Sequence, residues 1–104
     1  GKNTEISTQT ERWKIMKYKV FAVKDKALDS FSAPYTQPTI EAGLRMWRDL
    51  VLFGQEDNRY KRSPEDFTLY MIGEYEDSTA VLTEATPVWI ASATEVLAET
   101  QQEG

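Results

Sequence analysis

The sequence has no cysteine and no histidine. Without cysteine there are no disulfides, thiolate zinc sites or cysteine nucleophiles, and without histidine there is no imidazole base for a serine or cysteine nucleophile. No apolar run approaches the ~18 residues that a membrane-spanning helix needs, and no signal peptide is recognisable. The five glycines never cluster, so there is no phosphate-binding glycine loop. These absences exclude most small-enzyme chemistry and favour a soluble, intracellular binding or regulatory protein.

The length of 104 residues, with 40% hydrophobic and 12% aromatic residues, predicts one domain with its own core. Residues 1–15 are mostly polar, which predicts an N-terminal extension that is either flexible or foreign to the natural protein. We expect residues 16–92 to form the domain. Residues 93–104 are expected to form a short helix and a polar tail.

Charge is unevenly distributed along the chain. The net charge of −5 is the sum of 12 basic and 17 acidic residues, and all 12 basic residues lie in the first 62 positions. Residues 1–62 therefore carry a net charge of +4, whereas residues 63–104 carry nine acids and no base. The two parts of the chain have opposite sign, which leaves room for a basic surface on an acidic protein.

The first half contains one strand pattern and one helix pattern. Residues 16–24 are rich in β-branched and aromatic side chains, which predicts a strand buried at its centre. Residues 25–38 have no clear period and are predicted to form a long loop anchored in the core by Leu28, Phe31 and Tyr35. Residues 39–53 are predicted to form a helix whose apolar stripe consists of Ile40, Leu44, Trp47 and Val51.

The second half reads as a hairpin framed by short helical segments. Residues 63–66 have the Ser-Pro-Glu-Asp pattern of a single helical turn, and residues 67–76 alternate as a strand in which Gly73 marks a bulge or a close backbone approach. Residues 77–79 predict a tight turn into a further strand over residues 80–83. Residues 87–90 are predicted either to continue this strand or to add an edge strand. Ser92 and Glu95 have capping-box spacing, which predicts a short helix over about 93–100.

This order predicts an α+β domain with a β-α-β-β sheet of three to four strands, one main helix packed on one face and a short C-terminal helix. We expect the first two strands to be parallel, joined by a right-handed crossover. No second long helix is available for the other sheet face. Because Tyr70, Tyr75 and Trp89 would leave that face apolar, the sequence predicts a homodimer formed through it.

Basic residues are interleaved with aromatic residues in two stretches, a pattern typical of a groove for single-stranded nucleic acid. The candidate phosphate contacts are Lys17, Lys19, Lys24, Lys26, Arg59, Lys61 and Arg62. The candidate stacking rings are Tyr18, Tyr35 and Tyr60. The alternative is that the aromatic residues belong to the core and that the lysines protect a strand edge from pairing with other chains.

Carboxylate pairs such as Glu74 and Glu76 are the only chemistry-bearing pattern left. A solvated strand face explains them more simply than acid-base catalysis does, and no segment has the oxygen spacing of a calcium loop. We therefore expect no enzyme activity, no cofactor and no metal site.

Several ordered segments resemble the small nonstructural protein of gokushovirus-type phages, which belong to the Microviridae and have single-stranded DNA genomes. The resemblance covers about residues 16–92 and is most specific in the second half, where this chain departs from the family at Ala80, a position commonly occupied by glycine. The segments that carry it are Phe21-Ala22-Val23-Lys24-Asp25-Lys26, Phe31, Pro34-Tyr35, Arg45-Met46-Trp47, Pro64-Glu65-Asp66-Phe67-Thr68-Leu69-Tyr70 and Ile72-Gly73-Glu74-Tyr75-Glu76-Asp77-Ser78-Thr79.

The resemblance implies a role in phage DNA replication, or in single-strand synthesis and packaging, in the cytoplasm of the bacterial host. Together with the basic and aromatic stretches, it predicts a non-enzymatic protein that binds single-stranded DNA. The alternative is a protein-interaction module that regulates a phage or host replication protein through its acidic C-terminal half. The net charge of −5 favours this alternative.

Overall fold

The computed structural model describes residues 15–55 and 57–103, and the predicted N-terminal extension therefore lies almost wholly outside the described residues. The strands are β1 (Lys17–Asp25), β2 (Ser30–Phe31), β3 (Tyr35–Gln37), β4 (Phe67–Glu76) and β5 (Val81–Ser92). The helices are α1 (Ile40–Phe53), α2 (Arg59–Arg62) and α3 (Ala93–Glu103), with a 3₁₀ turn at Pro64–Asp66. The α+β class, the main helix and the short C-terminal helix are confirmed.

The strands form one antiparallel sheet in the order β2-β1-β4-β5, with β3 paired to β1 beside β2. The predicted parallel pairing of the first two long strands is wrong. The segment predicted to be a loop contains β2 and β3, which pair with β1 and bring the chain back toward the start of β1. Helix α1 then returns the chain to the end of β1. There the backbone N–H of Lys26 donates to the carbonyl of Asp66 at 2.7 Å, and β4 starts beside the end of β1.

Helix α1 begins where the sequence predicts, because the hydroxyl of Thr39 accepts a hydrogen bond from the backbone N–H of Ala42 at 3.0 Å. Its buried side chains include Trp47, whose indole N–H donates to the carbonyl of Ala91 at 3.1 Å and ties the helix to β5. The predicted stripe is wrong at its first member, since Ile40 is exposed. The core consists of Phe21, Val23, Trp47, Val51, Phe67, Leu69, Ala91, Ala93 and Val96.

Two glycines permit close approaches that a side chain would block. A Cβ on Gly43 would lie 2.2 Å from the ring of Phe21, so the helix rests directly on that ring. A Cβ on Gly73 would lie 2.5 Å from the carbonyl oxygen of Thr83. The register of β4 shifts on both sides near Gly73, which confirms the predicted bulge.

Side-chain caps organise the shorter elements. Asn58 donates to the carbonyls of Leu50 and Val51 at the end of α1 and accepts from the N–H of Tyr60 at the start of α2. At the start of α3, the hydroxyl of Ser92 and the carboxylate of Glu95 each accept the other's backbone N–H, which is the predicted capping box.

The turn between β4 and β5 closes on Ala80, whose φ of 62° lies in the left-handed region. This is the position where the resembling family commonly has glycine, the residue that adopts this conformation without steric cost.

Within the described residues, no helix is long and apolar enough to cross a membrane.

Successive side chains of a strand point to opposite faces of the sheet, so the register assigns each residue to a face. Phe21, Val23 and Leu69 lie on the face covered by the helices. We call the opposite face the open face. It carries Ala22, Lys24, Phe31, Thr68, Tyr70 and Trp89.

Candidate nucleic-acid interface

Three aromatic rings form a row across the open face. The ring of Tyr70 lies between those of Phe31 and Trp89, with centroid distances of 5.7 and 6.0 Å and edge-on angles of 71° and 73°. Phe31 is 45% exposed and Trp89 is 54% exposed, so the row is accessible although its members contact one another. We call these three residues the aromatic row.

The register explains why the three rings meet. Phe31 is the Cα partner of Lys24, Tyr70 is the partner of Ala22, and Trp89 is the partner of Tyr70. Ala22 is buried and has only a methyl group, which lets the rings of β2 and β4 approach each other above β1. A larger residue at position 22 would stand between Phe31 and Tyr70.

Two lysines lie beside the aromatic row. The Nζ of Lys24 is 5.6 Å from the ring centroid of Phe31 and 3.2 Å from a carboxylate oxygen of Asp29. Lys26 is exposed in the turn after β1, and its side chain has no ion pair within the described part of the chain. A phosphate could therefore bind Lys26 directly and could compete with Asp29 for Lys24.

A cleft of about 310 Å³ opens beside Tyr70 and Trp89 of the aromatic row. This volume is at the lower end of the roughly 300–1,000 Å³ typical of ligand sites. Its lining combines two ring side chains, two cations, two carboxylates and one threonine: Lys24, Lys26, Glu65, Asp66, Thr68, Tyr70 and Trp89. We call it the open-face cleft.

The indole of Trp89 is held in place from the side. Its N–H donates to Oε1 of Glu95 at 2.9 Å, and the same oxygen accepts the backbone N–H of Ser92 at 3.1 Å. The hydrogen bond from Ser92, assisted by that from Trp89, lowers the pKa of the Glu95 carboxyl. The ring is thus oriented while its face stays accessible.

Two of the predicted stacking rings lie on the covered side of the sheet. Tyr35 stacks on Phe21 at 5.4 Å and donates its hydroxyl to the carbonyl of Gly43 at 3.1 Å, and burial raises the pKa of that hydroxyl. Tyr60 contacts Trp47 and Phe67 edge-on, each at 5.0 Å. Both rings pack against the core, so they are not available to an unpaired base in this conformation.

The other end of β1 carries Lys17, Tyr18 and Lys19. Lys19 forms an ion pair with Glu74 on the covered side of the sheet, and its hydrogen bond and charge lower the pKa of the Glu74 carboxyl. Lys17 is exposed on the same side. Tyr18 lies on the open face beside Tyr75, at 6.4 Å. Lys17 and Lys24 are seven residues apart on one strand, or roughly 23 Å.

The remaining predicted cations lie on α2. Arg62 pairs with Asp57, and the guanidinium of Arg59 lies 5.7 Å from the ring centroid of Tyr60. Lys61 is exposed. The structure therefore divides the seven predicted cations among three places. It brings Lys24 and Lys26 to the aromatic row, and Arg59 lines a separate cleft that also includes Phe31.

The sequence did not identify the aromatic row as a stacking site. The sequence predicts Tyr70 and Trp89 on the second sheet face, and they lie there, but it assigns them to a dimer surface and not to a stacking site. Phe31 was expected to anchor a loop in the core and is instead exposed. The regular alternation of residues 67–72 predicts which face of the sheet Tyr70 occupies. The cross-strand partner of Phe31 depends on β2, a strand of two residues that has no sequence signature.

Within the described ranges, no group of three acidic, cysteine or histidine residues is arranged to hold a metal ion.

The family model described as Phage ORF5 protein matches residues 18–96. No curated protein and no solved structure matches the chain. The matched stretch contains nearly the whole sheet, including the aromatic row and the open-face cleft.

Proposed function

Since this chain belongs to the phage ORF5 protein family, we propose that it is a non-enzymatic, nonstructural phage protein that binds single-stranded DNA on its open face. Its motifs resemble those of the small nonstructural protein of gokushovirus-type phages, which belong to the Microviridae. This resemblance supports DNA as the ligand, because these phages have single-stranded DNA genomes. Its proposed place of action is the cytoplasm of the bacterial host. There it would serve DNA replication, or single-strand synthesis and packaging.

The observation that carries the proposal is the aromatic row. Phe31, Tyr70 and Trp89 present accessible rings side by side across neighbouring strands. A base stacked on an aromatic side chain contributes about 1–3 kcal/mol, and this contribution tolerates any base. The bases of a duplex already stack on one another, so such a surface favours unpaired strands.

Lys24 and Lys26 supply the phosphate contacts that a stacking surface needs. Two contacts to a single strand predict a slope of about −1.4 in a plot of log affinity against log salt concentration. The net charge of −5 opposes long-range attraction of DNA. We therefore expect modest affinity in which stacking contributes more than charge.

The test is fluorescence anisotropy of a labelled oligothymidine of about 30 nucleotides, with a duplex as competitor. We expect binding that resists the duplex and that Lys24→Glu weakens about tenfold, because the change replaces a phosphate contact with a repulsive charge. Lys61→Glu on α2 is the matched control, because it makes the same change of charge away from the aromatic row. It should leave the affinity within about twofold once the general effect of the added negative charge on DNA binding is subtracted. No binding at low salt, or equal losses in both variants, would contradict the proposal.

A specific observation favours the second candidate, a protein-interaction module. Residues 81–89 of β5 are all exposed, and within the described residues β5 pairs with β4 on one side only. An open strand edge can accept a strand from another protein, and the acidic C-terminal half would select a basic partner such as a phage or host replication protein. Val88→Lys should then weaken the partner complex, while Trp89→Ala on the open face weakens DNA binding.

The homodimer stays a prediction, with the open face as its interface. DNA and a second copy would then compete for the aromatic row. Light scattering at micromolar protein concentration should give twice the monomer mass, and this mass should fall when a single strand is added. A monomeric mass without DNA would contradict the dimer and would leave the DNA proposal in place.

A further inference from the structure

The open-face cleft contains groups that stacking alone does not require. Glu65 and Asp66 come from the 3₁₀ turn, and their carboxylates have no hydrogen-bond or ion-pair partner in the part of the chain that the structure describes. They face the same cleft as Lys24 and Lys26. A site for phosphate alone would be weakened by these acids. A ligand that both donates and accepts hydrogen bonds would match the whole lining.

The bases differ in how well they satisfy such a mixed site. A carboxylate only accepts hydrogen bonds, and a lysine ammonium only donates them. Guanine presents N1–H and the N2 amino group as neighbouring donors on one edge, with O6 and N7 as acceptors beside them. Thymine has one ring N–H placed between two carbonyl oxygens, which would face the carboxylate unfavourably.

We infer that the open-face cleft selects guanine within a bound single strand. A carboxylate of Glu65 or Asp66 accepts from guanine N1–H and N2, and Lys24 or Lys26 donates to O6 or N7. The flanking bases stack on Trp89 and Tyr70. This inference rests on the proposed function, because it needs a strand already held on the open face.

The experiment compares four strands that differ at one central position. An oligothymidine is titrated in the anisotropy assay beside the same strand with a single central guanine, adenine or cytosine. We expect the guanine strand to bind about tenfold more tightly than oligothymidine, within the range that a bidentate contact to one base provides. The cytosine and adenine strands should fall between them.

Variants assign the preference to the cleft. Glu65→Gln combined with Asp66→Asn should reduce the guanine preference below about twofold while oligothymidine still binds. Glu84→Gln combined with Asp49→Asn is the matched control, since it also removes two negative charges, but from β5 opposite Gly73 and from the exposed side of α1, both outside the cleft. It should keep the full preference for guanine.

The outcomes separate the inference from the proposed function. Equal affinity for all four strands, or a preference for another base, would overturn guanine selection and leave strand binding in place. Failure of every strand to bind would overturn both. Guanine preference that survives the change of both carboxylates would also overturn the inference, because it would place the contact elsewhere.

Discussion

The two faces of the sheet use aromatic residues in opposite ways. On the covered face, Trp47 and Tyr35 have their polar atoms bonded to backbone carbonyls and their rings packed against other side chains. On the open face, Trp89 is oriented by a hydrogen bond to Glu95 while more than half of the residue remains exposed. The same residue type stabilises the core on one face and remains available to a ligand on the other.

This difference shows that proximity to basic residues does not identify a stacking ring. Tyr60 is flanked in sequence by Arg59 and Lys61, yet its ring packs between Trp47 and Phe67. Trp89 has no basic neighbour in the chain, yet it shares a cleft with Lys24 and Lys26. The strand register, not the local sequence, brings charge and aromatic rings together.

Removing one tryptophan from each face should give the largest difference between the two faces. Trp47→Ala should lower the free energy of unfolding by about 3–5 kcal/mol, because it empties a fully buried site and removes the hydrogen bond to the Ala91 carbonyl. Trp89→Ala should lower it by less than about 1 kcal/mol and weaken oligothymidine binding about tenfold. Urea denaturation and anisotropy measure the two effects, and similar stability losses in both variants would refute the distinction between the faces.

The next largest effect concerns the contact of α1 with the covered face. Gly43→Ala should destabilise the protein by about 1–3 kcal/mol, since the new methyl group would overlap the ring of Phe21. An isolated helix would instead gain about 1 kcal/mol from this change. A rise in the urea midpoint would therefore show that α1 does not pack this closely on the sheet.

A smaller effect is expected at the far end of the hairpin. Ala80→Gly should stabilise the protein by about 0.5–1 kcal/mol, because it relieves a left-handed residue with a φ of 62°. Ala27→Gly, at an exposed turn position without positive φ, is the control and should be slightly destabilising. Thermal unfolding measures both. Equal destabilisation by the two glycines would argue against the left-handed turn.

The smallest effect is the pH dependence of Glu95. Because the folded state lowers its pKa, this carboxylate contributes stability above its ordinary pKa, and the contribution is lost as the pH falls through the lower folded value. Glu95→Gln should remove that part of the acid dependence. Urea midpoints at pH 7 and at about pH 3 would then differ less in the variant than in the parent protein. An unchanged difference would mean that Glu95 does not hold Trp89 and the Ser92 N–H as described.

The sequence predicts the elements of this fold better than their arrangement. The helical period around Trp47, the cap at Thr39 and the capping box at Ser92 are local patterns, and the structure contains each of them. The direction of β4 relative to β1 depends on two short strands within residues 25–38. These strands are stabilised by pairing with β1, and nothing in their own composition indicates them.

The candidate site was predicted in part for the same reason. Lys24 and Lys26 are recognisable as cations beside a strand, and Tyr70 as a member of the second sheet face. Phe31 reaches Tyr70 only because Lys24 is its cross-strand partner and Ala22 is small. Such contacts join residues about 40 positions apart, so they follow from register and not from sequence spacing.

The most direct test of the account is the response of the indole N–H signals to single-stranded DNA in a ¹⁵N-labelled sample. Of the three tryptophans, Trp89 lies on the open face and Trp47 in the core. We predict that oligothymidine shifts the Trp89 indole signal together with the backbone amides of Lys24, Phe31 and Tyr70, while the Trp47 signal stays in place. Shifts confined to α2, or a spectrum that oligothymidine leaves unchanged, would contradict DNA binding on the open face.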